Sequence, residues 1–416
     1  MKEMDKVTNL DACIKCSACS AQCPVAAVNP HFPGPKVLGP DAERFRLEGV
    51  KFDPNCLSYC SNCKTCEVTC PSGVKITEMI LRAKGKDDGR SSLIKQNWRH
   101  HIRDGILGRA EYLGKLGTVW PGLTNGVLKI KPMRHLMEKT LGIGVKAPLP
   151  PYGKRLKPRR TGFNSHSKST INGRTKQVIY FPGCLISYND YLTGEAVVKV
   201  LEHNGVEVII PDFKCCGVPV EANGLFKEAN RNGLYNLSLI DDYLKAGIPV
   251  IASCTSCSLH LKEEYPKLDS PSAGRIGRQT YDLFEYLWEL YERGELKTDF
   301  SEVQVSLGYH NPCHLKAQGI GTPSLRILRL IPGVKVIDID SGCCGLSGSY
   351  GFKEEKYPLA MEIGRPLFER AKDGLAQGEF KEMITECGIC RVQIQHGSGL
   401  NTYQPVWILM KAYNLS

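Results

Sequence analysis

Residues 13–24 of the chain read CIKCSACSAQCP, and residues 60–71 read CSNCKTCEVTCP. In both stretches three cysteines follow one another at every third position, and a Cys-Pro pair begins four positions after the last of them. A loop with this spacing wraps three thiolates around one [4Fe–4S] cube and points the fourth thiolate away from it. The repeated pattern therefore predicts two such cubes in the first part of the chain.

The fourth cysteine of each stretch is expected to bind the cube of the other stretch, as is typical of this spacing. Two sets of four ligands result. Set A consists of Cys13, Cys16, Cys19 and Cys70, and set B consists of Cys60, Cys63, Cys66 and Cys23. A zinc site needs only four cysteines in two pairs, so the doubled pattern favours iron and sulfide over zinc. Cys56 falls outside the pattern and is interpreted as a spare or packing cysteine.

The chain has 416 residues and 19 cysteines, of which 18 fall into four groups. The first residues, MKEMDKVTNL, lack the apolar segment and cleavage site of a secretory signal, so we expect a reducing, cytoplasmic location. In that location, spaced cysteines indicate metal ligands or redox groups rather than disulfides. No run of 18 apolar residues occurs, so we expect no transmembrane helix.

The formal net charge of +11 is concentrated in one part of the chain. From Lys86 to Arg174 there are 19 Lys or Arg residues and 5 Asp or Glu residues, a net charge of +14. No motif that reads nucleic acid accompanies this charge, so we expect no nucleic-acid partner.

Residues 91–142 have the pattern of amphipathic helices, with Ile94, Trp98, Ile102 and Ile106 on one face and Lys95 beside it. One interpretation is a peripheral contact with a membrane surface. Trp98, Tyr112 and Trp120 would then lie at headgroup depth, and cations such as Arg99, Arg103 and Arg109 would meet anionic lipid. The other interpretation is a cover for the core or for another protein of a complex.

Strand and helix signals alternate from residue 177 onwards. QVIYFPGC and PVIASC are typical of strands that lead to Cys184 and Cys254, and VEVIIPDF is typical of a strand before the triplet at 215–217. The same order recurs later, with offsets of 129, 128 and 133 residues between corresponding cysteines. An internal duplication explains this recurrence. We expect each copy to form an α/β unit with a parallel sheet.

Ligands of open α/β sheets bind beyond the carboxyl ends of the strands, which is where the cysteines of each copy are predicted to lie. Set C consists of Cys184, Cys215, Cys216, Cys254 and Cys257, and set D consists of Cys313, Cys343, Cys344, Cys387 and Cys390. Each set has one cysteine more than a cube accepts, so four ligands and a free thiol are an open alternative. The glycine after each Cys-Cys pair is expected to let the backbone approach the metal without a Cβ clash.

Four further residues lie near Cys184 or Cys313, the first cysteines of the two copies. His310 and His314 flank Cys313, and we interpret them as supporting or surface residues rather than as metal ligands or proton carriers. Pro182 and Pro312 are expected to shape the turns that aim the thiolates.

The predicted fold class is an α+β multidomain protein. A helical two-[4Fe–4S] ferredoxin-type domain is expected at 1–90, and a basic amphipathic helical segment with a linker at 91–175. Two duplicated α/β Cys-Cys-Gly domains with parallel sheets are expected at 176–300 and 301–416. No G-x-G-x-x-G fingerprint follows any predicted strand, so a flavin and its substrate are expected on another chain.

With these motifs in place, the chain resembles the family of the C subunit of anaerobic glycerol-3-phosphate dehydrogenase, within a wider group of proteins with duplicated Cys-Cys-Gly domains. The resemblance covers essentially the whole length. It is carried by CIKCSACSAQCPVAAVNPHFPGPKVLGPDAERFRL, YCSNCKTCEVTCPSGVKI, CCGVPVEANG, YHNPCH and CCGLSGSYGFKEEKYPLAMEIGRPLF.

The resemblance implies an iron–sulfur relay, one component of an oxidoreductase complex at the cytoplasmic face of the membrane, that passes electrons from a flavoprotein partner to menaquinone. The wider group includes the catalytic subunit of heterodisulfide reductase, in which five-cysteine sets hold noncubane [4Fe–4S] clusters. By this resemblance, sets C and D each hold one such cluster. A heterodisulfide or thiol-disulfide reductase is the alternative function, and no catalytic residue is assigned.

Overall fold

The computed structural model of the protein describes residues 9–50, 54–86, 98–159, 170–171 and 174–415. An N-terminal unit of short helices comes first, a helical segment follows, and two α/β units complete the chain. The predicted α+β fold class is confirmed by this arrangement and by the two parallel sheets. The exact domain boundaries stay predictions.

The N-terminal unit is built from short helices joined by cysteine-bearing loops. Helix α1 spans Ala18–Ala21, α2 spans Ala42–Leu47, α3 spans Pro54–Leu57, α4 spans Thr65–Val68 and α5 spans Ile76–Lys86. Helices α1 and α4 occupy the same place in the two motifs, and each carries the third cysteine of its motif. The two helices contact each other, so the repeated sequence folds as a repeated structure.

The basic segment forms four consecutive helices: α6 at Trp98–Gly108, α7 at Ala110–Gly117, α8 at Pro121–Lys129 and α9 at Lys131–Leu141. Pro121 and Pro132 lie at the first turns of α8 and α9, where a missing backbone N–H costs nothing, so the prolines divide the helical pattern. Ile94 and Lys95, which belong to the predicted amphipathic pattern, lie outside the described residues. None of the helices in the described parts is long and apolar enough to cross a membrane.

The stretch predicted as an extended linker contains no helix over the described residues 146–159. It packs on the first α/β unit, since Leu156 is buried and its N–H donates to the carbonyl of Ser187 at 2.9 Å. Two short strands, β1 at Thr170–Ile171 and β2 at Arg174–Thr175, pair antiparallel further along.

The first α/β unit has a four-stranded parallel sheet. Strand β3 spans Gln177–Phe181, β4 spans Glu207–Ile209, β5 spans Val250–Ala252 and β6 spans Thr280–Asp282. The strands are arranged in the order β4-β3-β5-β6. The helices are α10 (Gly183–Tyr188), α11 (Tyr191–His203), α12 (Val218–Ala222), α13 (Phe226–Lys245), α14 (Thr255–Glu263), α15 (Ala273–Gln279) and α16 (Leu283–Glu292).

The second α/β unit repeats this topology. Strand β7 spans Val305–Tyr309, β8 spans Val334–Asp338, β9 spans Glu382–Ile384 and β10 spans Thr402–Tyr403. Their order, β8-β7-β9-β10, again places the first strand between the second and the third. The predicted duplication is therefore confirmed at the level of the sheets. The helices are α17 (Cys313–Lys316), α18 (Pro323–Leu328), α19 (Tyr357–Ala376), α20 (Gly388–Ser398) and α21 (Val406–Ala412).

The two α/β units share one hydrophobic core. Tyr180 of β3 and Tyr309 of β7 belong to the same cluster of buried side chains. The C-terminal helix α21 packs against α11 of the first unit, and Trp407 donates a 2.9 Å hydrogen bond to the hydroxyl of Thr193. This shared core fixes the carboxyl ends of the two sheets relative to each other.

Candidate metal centres

The cysteine loops of the N-terminal unit have an unusual backbone conformation that is the same in both motifs. Lys15 and Ser17 flank Cys16 with φ angles of 60° and 66°, and Asn62 and Lys64 flank Cys63 with φ angles of 55° and 59°. Residues other than glycine seldom adopt positive φ. Alternation between right- and left-handed residues turns successive N–H groups toward one centre, which suits an anionic iron–sulfur group.

The four thiols of set A line one pocket together with Ile14 and Pro71. Cys16 is exposed to solvent, whereas Cys19 is buried. Burial raises the pKa of the Cys19 thiol, and the nearby thiols of Cys70 and Cys13 raise it further. The structure therefore brings Cys70 to the first motif, as its assignment to set A requires.

Set B is more deeply enclosed. Burial raises the pKa of Cys23 to about 11, and the thiols of Cys63 and Cys60 add to this rise. Burial also raises the pKa of Cys66, with smaller contributions from Cys63, Cys60 and Cys23. Cys23 thus lies with the three cysteines of the second motif rather than with those of its own.

The five thiols of set C form a continuous series of side-chain contacts. The series runs in the order Cys184, Cys215, Cys216, Cys257, Cys254. Cys184 lies in α10 just after β3, the Cys-Cys pair follows β4, and Cys254 follows β5. Cys257 Sγ donates to Cys216 Sγ at 3.4 Å. The carboxyl ends of three adjacent parallel strands thus bring together residues that are far apart in sequence.

Set D has the same geometry in the second unit. Its thiols contact one another in the order Cys313, Cys343, Cys344, Cys390, Cys387. Cys387 caps the N-terminus of α20, and its Sγ accepts the backbone N–H of Cys390 at 3.5 Å. A helix N-terminus suits a metal-bound sulfur, because its unpaired N–H groups carry partial positive charge.

The chemistry of these groups fits iron and sulfide. One cysteine in each series accepts hydrogen bonds from two neighbouring thiols, and these bonds lower its pKa. In set C, Cys215 and Cys257 lower the pKa of Cys216. In set D, Cys343 and Cys390 lower the pKa of Cys344. Five thiols this close cannot all ionise without a cation, since like charges repel. Iron would supply that cation, since soft thiolates are the ligands that iron–sulfur clusters use.

Sets C and D face a single cavity of about 510 Å³. Four thiols of set C and all five of set D line it, and helices α6 to α9 contribute most of the opposite wall. The cavity also reaches Ser61 and Asn62 in the loop of set B. Three of the four cysteine sets therefore meet at one place in the molecule.

The glycine after each Cys-Cys pair is required by close packing that the sequence did not predict. Gly217 and Gly345 have φ angles of 121° and 86°. A Cβ on Gly217 would lie 2.8 Å from Nε2 of His260, and a Cβ on Gly345 would overlap the carbonyl oxygen of Ala360. The close neighbours are the helices packed behind the loop, and the expected approach of the backbone to a metal stays a prediction.

His314 connects three cysteine sets. Its Nδ1 lies 2.7 Å from Oγ of Ser256 in set C's helix α14, and its Nε2 lies 2.9 Å from the carbonyl oxygen of Asn62 beside Cys63. The residue itself follows Cys313 of set D. Both ring nitrogens are engaged with protein groups, so the position suits a supporting residue. Burial lowers the pKa of His314 to about 4, and it lowers that of His310, which is also buried, to about 3.

The sequence reasoning did not find Glu111. This buried carboxylate on α7 accepts the backbone N–H of Cys215 at 2.8 Å and pairs with Lys115 at 2.6 Å. The helical segment therefore holds the Cys-Cys loop of set C directly. A signal was available, since Glu111 is one of only five acidic residues between Lys86 and Arg174.

The chain matches two family models that describe these centres. Residues 9–74 match a 4Fe-4S dicluster domain, and residues 178–262 and 307–395 each match a cysteine-rich domain. The chain is 34% identical to the C subunit of anaerobic glycerol-3-phosphate dehydrogenase of Escherichia coli K12, over 97% of this chain and 99% of that protein. It belongs to the C-subunit family of anaerobic glycerol-3-phosphate dehydrogenase. It is therefore an iron–sulfur protein that acts in electron transfer within an oxidoreductase complex.

More distant relatives of this C-subunit family member are components of reductases. The D subunit of the dihydromethanophenazine:CoB–CoM heterodisulfide reductase of Methanosarcina acetivorans is 22% identical over 94% of this chain and 90% of that protein. The B subunit of the CoM/CoB fumarate reductase of Methanothermobacter marburgensis is 28% identical over 52% of this chain and 41% of that protein. Family membership confirms the resemblance drawn from the sequence.

The close packing behind the second Cys-Cys loop predicts the effect of a methyl group. We expect Gly345→Ala to displace the loop of set D and to lower iron content and the paramagnetic signal of the reduced protein. Gly342→Ala is the matched control, because Gly342 also has a positive φ of 81° but has open space around its Cβ position. It should keep its iron, since it incurs only a backbone penalty of about 1 kcal/mol. Equal iron in both variants would contradict the packing argument.

Proposed function

We propose that sets A to D each hold a four-iron cluster and that the chain relays electrons from a flavoprotein partner to menaquinone. Sets A and B would ligate [4Fe–4S] cubes, and sets C and D would ligate [4Fe–4S] clusters of the noncubane kind. When bound, such clusters accept and release single electrons. The contact between set B and set D carries the proposal, since His314, next to Cys313 of set D, lies 2.9 Å from the carbonyl oxygen of Asn62, next to Cys63 of set B.

Set A is suited to accept electrons from a partner. Cys16 is exposed, and Ile14 beside it is 67% exposed. Exposed apolar residues next to a redox centre favour contact with another protein. The flavin is assigned to that partner, since no dinucleotide fingerprint follows a strand of this chain.

Set B has two lysines beside its loop that donate hydrogen bonds there. Lys84 donates to the carbonyl oxygen of Cys60 at 3.0 Å. Lys356 is buried, and its Nζ lies 3.3 Å from the centre of the Tyr59 ring and 3.2 Å from the hydroxyl of Ser58. Burial and hydrogen bonding are among the factors that set the potential of a cluster. We therefore propose that electrons pass from set A to set B.

Oxidation of the donor and reduction of the acceptor each involve two electrons and two protons. The name of the E. coli relative supports a partner that oxidises glycerol 3-phosphate, which releases two electrons and two protons. Menaquinone takes up two electrons and two protons and becomes the quinol. This chain would carry the electrons singly, so its own residues would hold the clusters and position the acceptor.

The surface of helices α6 to α9 supports contact with a membrane. Of the 18 exposed large apolar side chains in the described parts, nine lie between residues 98 and 136. They are Trp98, Ile102, Tyr112, Leu116, Val119, Trp120, Leu123, Ile130 and Leu136. Apolar side chains beside exposed lysines are typical of an interfacial surface. The proposed location is therefore a peripheral one, at the cytoplasmic face of the membrane.

The three arginines expected to meet lipid have other partners. Arg103 is 2% exposed and forms two hydrogen bonds with Glu355, at 2.7 and 3.1 Å. Arg99 pairs with Glu354 at 2.9 Å, and Arg109 pairs with Glu228 at 2.8 Å. That assignment was wrong, because these side chains attach the helical segment to the α/β units. Lys129, Lys131 and Lys139 are exposed and form no ion pair within the described parts, so we assign the lipid contact to them.

A heterodisulfide or thiol-disulfide reductase is the second candidate. It is favoured by the presence of both complete five-thiol sets around one cavity and by the heterodisulfide reductase relatives. In that case a disulfide would bind between sets C and D and accept two electrons and two protons to give two thiols.

The assignment of ligands predicts which cysteines act together. Protein purified without air should hold on the order of 16 irons, and Cys70→Ser should remove about four of them. The double variant Cys70→Ser/Cys13→Ser should lose no more iron than Cys70→Ser alone, whereas Cys70→Ser/Cys63→Ser should lose about four further irons. Iron analysis and paramagnetic resonance measure these losses. Cys56→Ser is the control and should keep the full content. Additional loss with Cys13→Ser would contradict set A.

The membrane proposal predicts a salt-dependent interaction with anionic vesicles. Exposed lysines near such a surface contribute about 1 kcal/mol each, so replacing Lys129, Lys131 and Lys139 by Gln should weaken binding roughly 100-fold at low salt. The control is replacement of Lys335, Lys372 and Lys381, which are exposed on the second α/β unit and change the net charge equally. Equal losses in the two triple variants, measured by vesicle sedimentation, would count against a specific surface.

A direct assay separates the two candidate functions. The reduced protein is mixed without air with a soluble menaquinone analogue or with a disulfide, and reoxidation of the clusters is followed by absorbance. We expect rapid reoxidation by the quinone and none by the disulfide. Turnover with the disulfide alone would instead favour the reductase, and zinc as the main metal would end both proposals.

A further inference from the structure

We propose that the cavity between sets C and D is the binding site for the ring of an uncharged, lipid-soluble quinone, which enters past Leu116. This inference rests on the proposed function and locates its acceptor. The cavity of about 510 Å³ includes the space next to the thiols that the proposed clusters would occupy, and the ring would lie in the remainder, along helices α6 to α9. The nine thiols on one wall place the ring next to both proposed clusters.

The part of the lining that comes from helices α6 to α9 is mostly apolar. Each of the four helices of the basic segment contributes to it, including Ile106 of α6, Leu113 of α7, Leu128 of α8 and Met137 of α9. Apolar walls with a few polar groups are typical of sites for flat organic ligands. The helical segment therefore has two apolar sides, one facing the cavity and one exposed.

Charge determines which class of ligand fits. Among the described residues that line the cavity, none is Lys, Arg, Asp or Glu. A disulfide that carries carboxylate, sulfonate or phosphate groups would bury those charges without a counter-ion, which is costly. An uncharged quinone has no such cost. The lining therefore favours the quinone over an anionic disulfide.

The cavity opens at the exposed apolar surface. Leu116 lines the cavity and is nevertheless 72% exposed, so it lies at the mouth. Val119, Trp120 and Leu123 follow it along the chain and are 60%, 70% and 65% exposed. An apolar tail could therefore pass from lipid to the cavity without crossing a polar surface, which is the path that a lipid-soluble ligand requires.

Two polar groups in the cavity wall lack protein partners. Thr255, between Cys254 and Ser256, is fully buried, and its hydroxyl has no hydrogen-bond partner within the described parts. The side-chain oxygen of Asn62 is likewise buried without a partner there. Buried polar groups are rarely left unpaired, so each indicates a ligand or water. The Thr255 hydroxyl can donate to a carbonyl oxygen of the quinone.

The test uses the full chain with its clusters and a photoreactive naphthoquinone. After illumination, labelled peptides are mapped by mass spectrometry, and we expect labels in residues 106–128. Leu128→Trp fills the cavity and should reduce labelling at least tenfold, whereas Leu375→Trp adds the same bulk at an exposed site outside it. Thr255→Val keeps the volume and should weaken binding about threefold to tenfold, the usual range for one hydrogen bond.

The outcomes distinguish this inference from the proposed function. Labels only outside the cavity, or unchanged binding in both Leu128→Trp and Thr255→Val, would overturn the site even if the chain reduces quinone. Iron content and the paramagnetic spectrum identify a variant that has lost its clusters. If Leu128→Trp loses its clusters, the label map of the unmodified protein and quinone binding by Thr255→Val decide whether the cavity is the quinone site. Failure of the unmodified protein to bind or reduce any quinone would instead overturn the relay.

Discussion

Nine thiols of sets C and D surround one cavity, and their thiolate charges repel one another unless a cation lies between them. Each set gathers residues from three strand ends and the helices that follow, so the loops are held by packing from behind. Gly345 against Ala360 and Glu111 against the N–H of Cys215 are examples of this support. Without iron, the neighbouring thiols and burial raise the pKa of most of these cysteines. The clusters are therefore part of the structure as well as of the chemistry.

The features predicted correctly are those that depend on local sequence. Cysteines at every third position predict the loops that carry three thiols of set A and three of set B, because each of these triplets lies within seven residues. The recurrence of the Cys-Cys-Gly triplet predicts equal topology, and both sheets have the same strand order. The positions after β3, β4 and β5 follow from parallel pairing, since the carboxyl ends of parallel strands meet at one edge.

Long-range contacts were beyond this reasoning. Charge counting assigned Arg103 to a lipid surface, yet its partner Glu355 is 252 residues away in sequence. His314 likewise contacts Asn62 across 252 residues and Ser256 across 58. A sequence pattern gives the chemistry of a side chain but not its hydrogen-bond or ion-pair partner, because that partner depends on how separate units of the chain pack together. The same limit hid the cavity, whose two walls come from different parts of the chain.

The amphipathic segment had two interpretations, a membrane surface and a cover for the core, and the structure gives reason to combine them. Helices α6 to α9 bury part of their apolar surface over sets C and D and expose another part around Trp120 and Leu123. Their arginines attach them to the α/β units, which leaves lysines on the outside. A cover that only protected the core would not need nine exposed large apolar side chains. A surface that only bound lipid would not need to line a cavity beside nine thiols. A segment that does both connects an apolar environment to the proposed clusters, and this dual packing explains why its hydrophobic pattern alone was ambiguous.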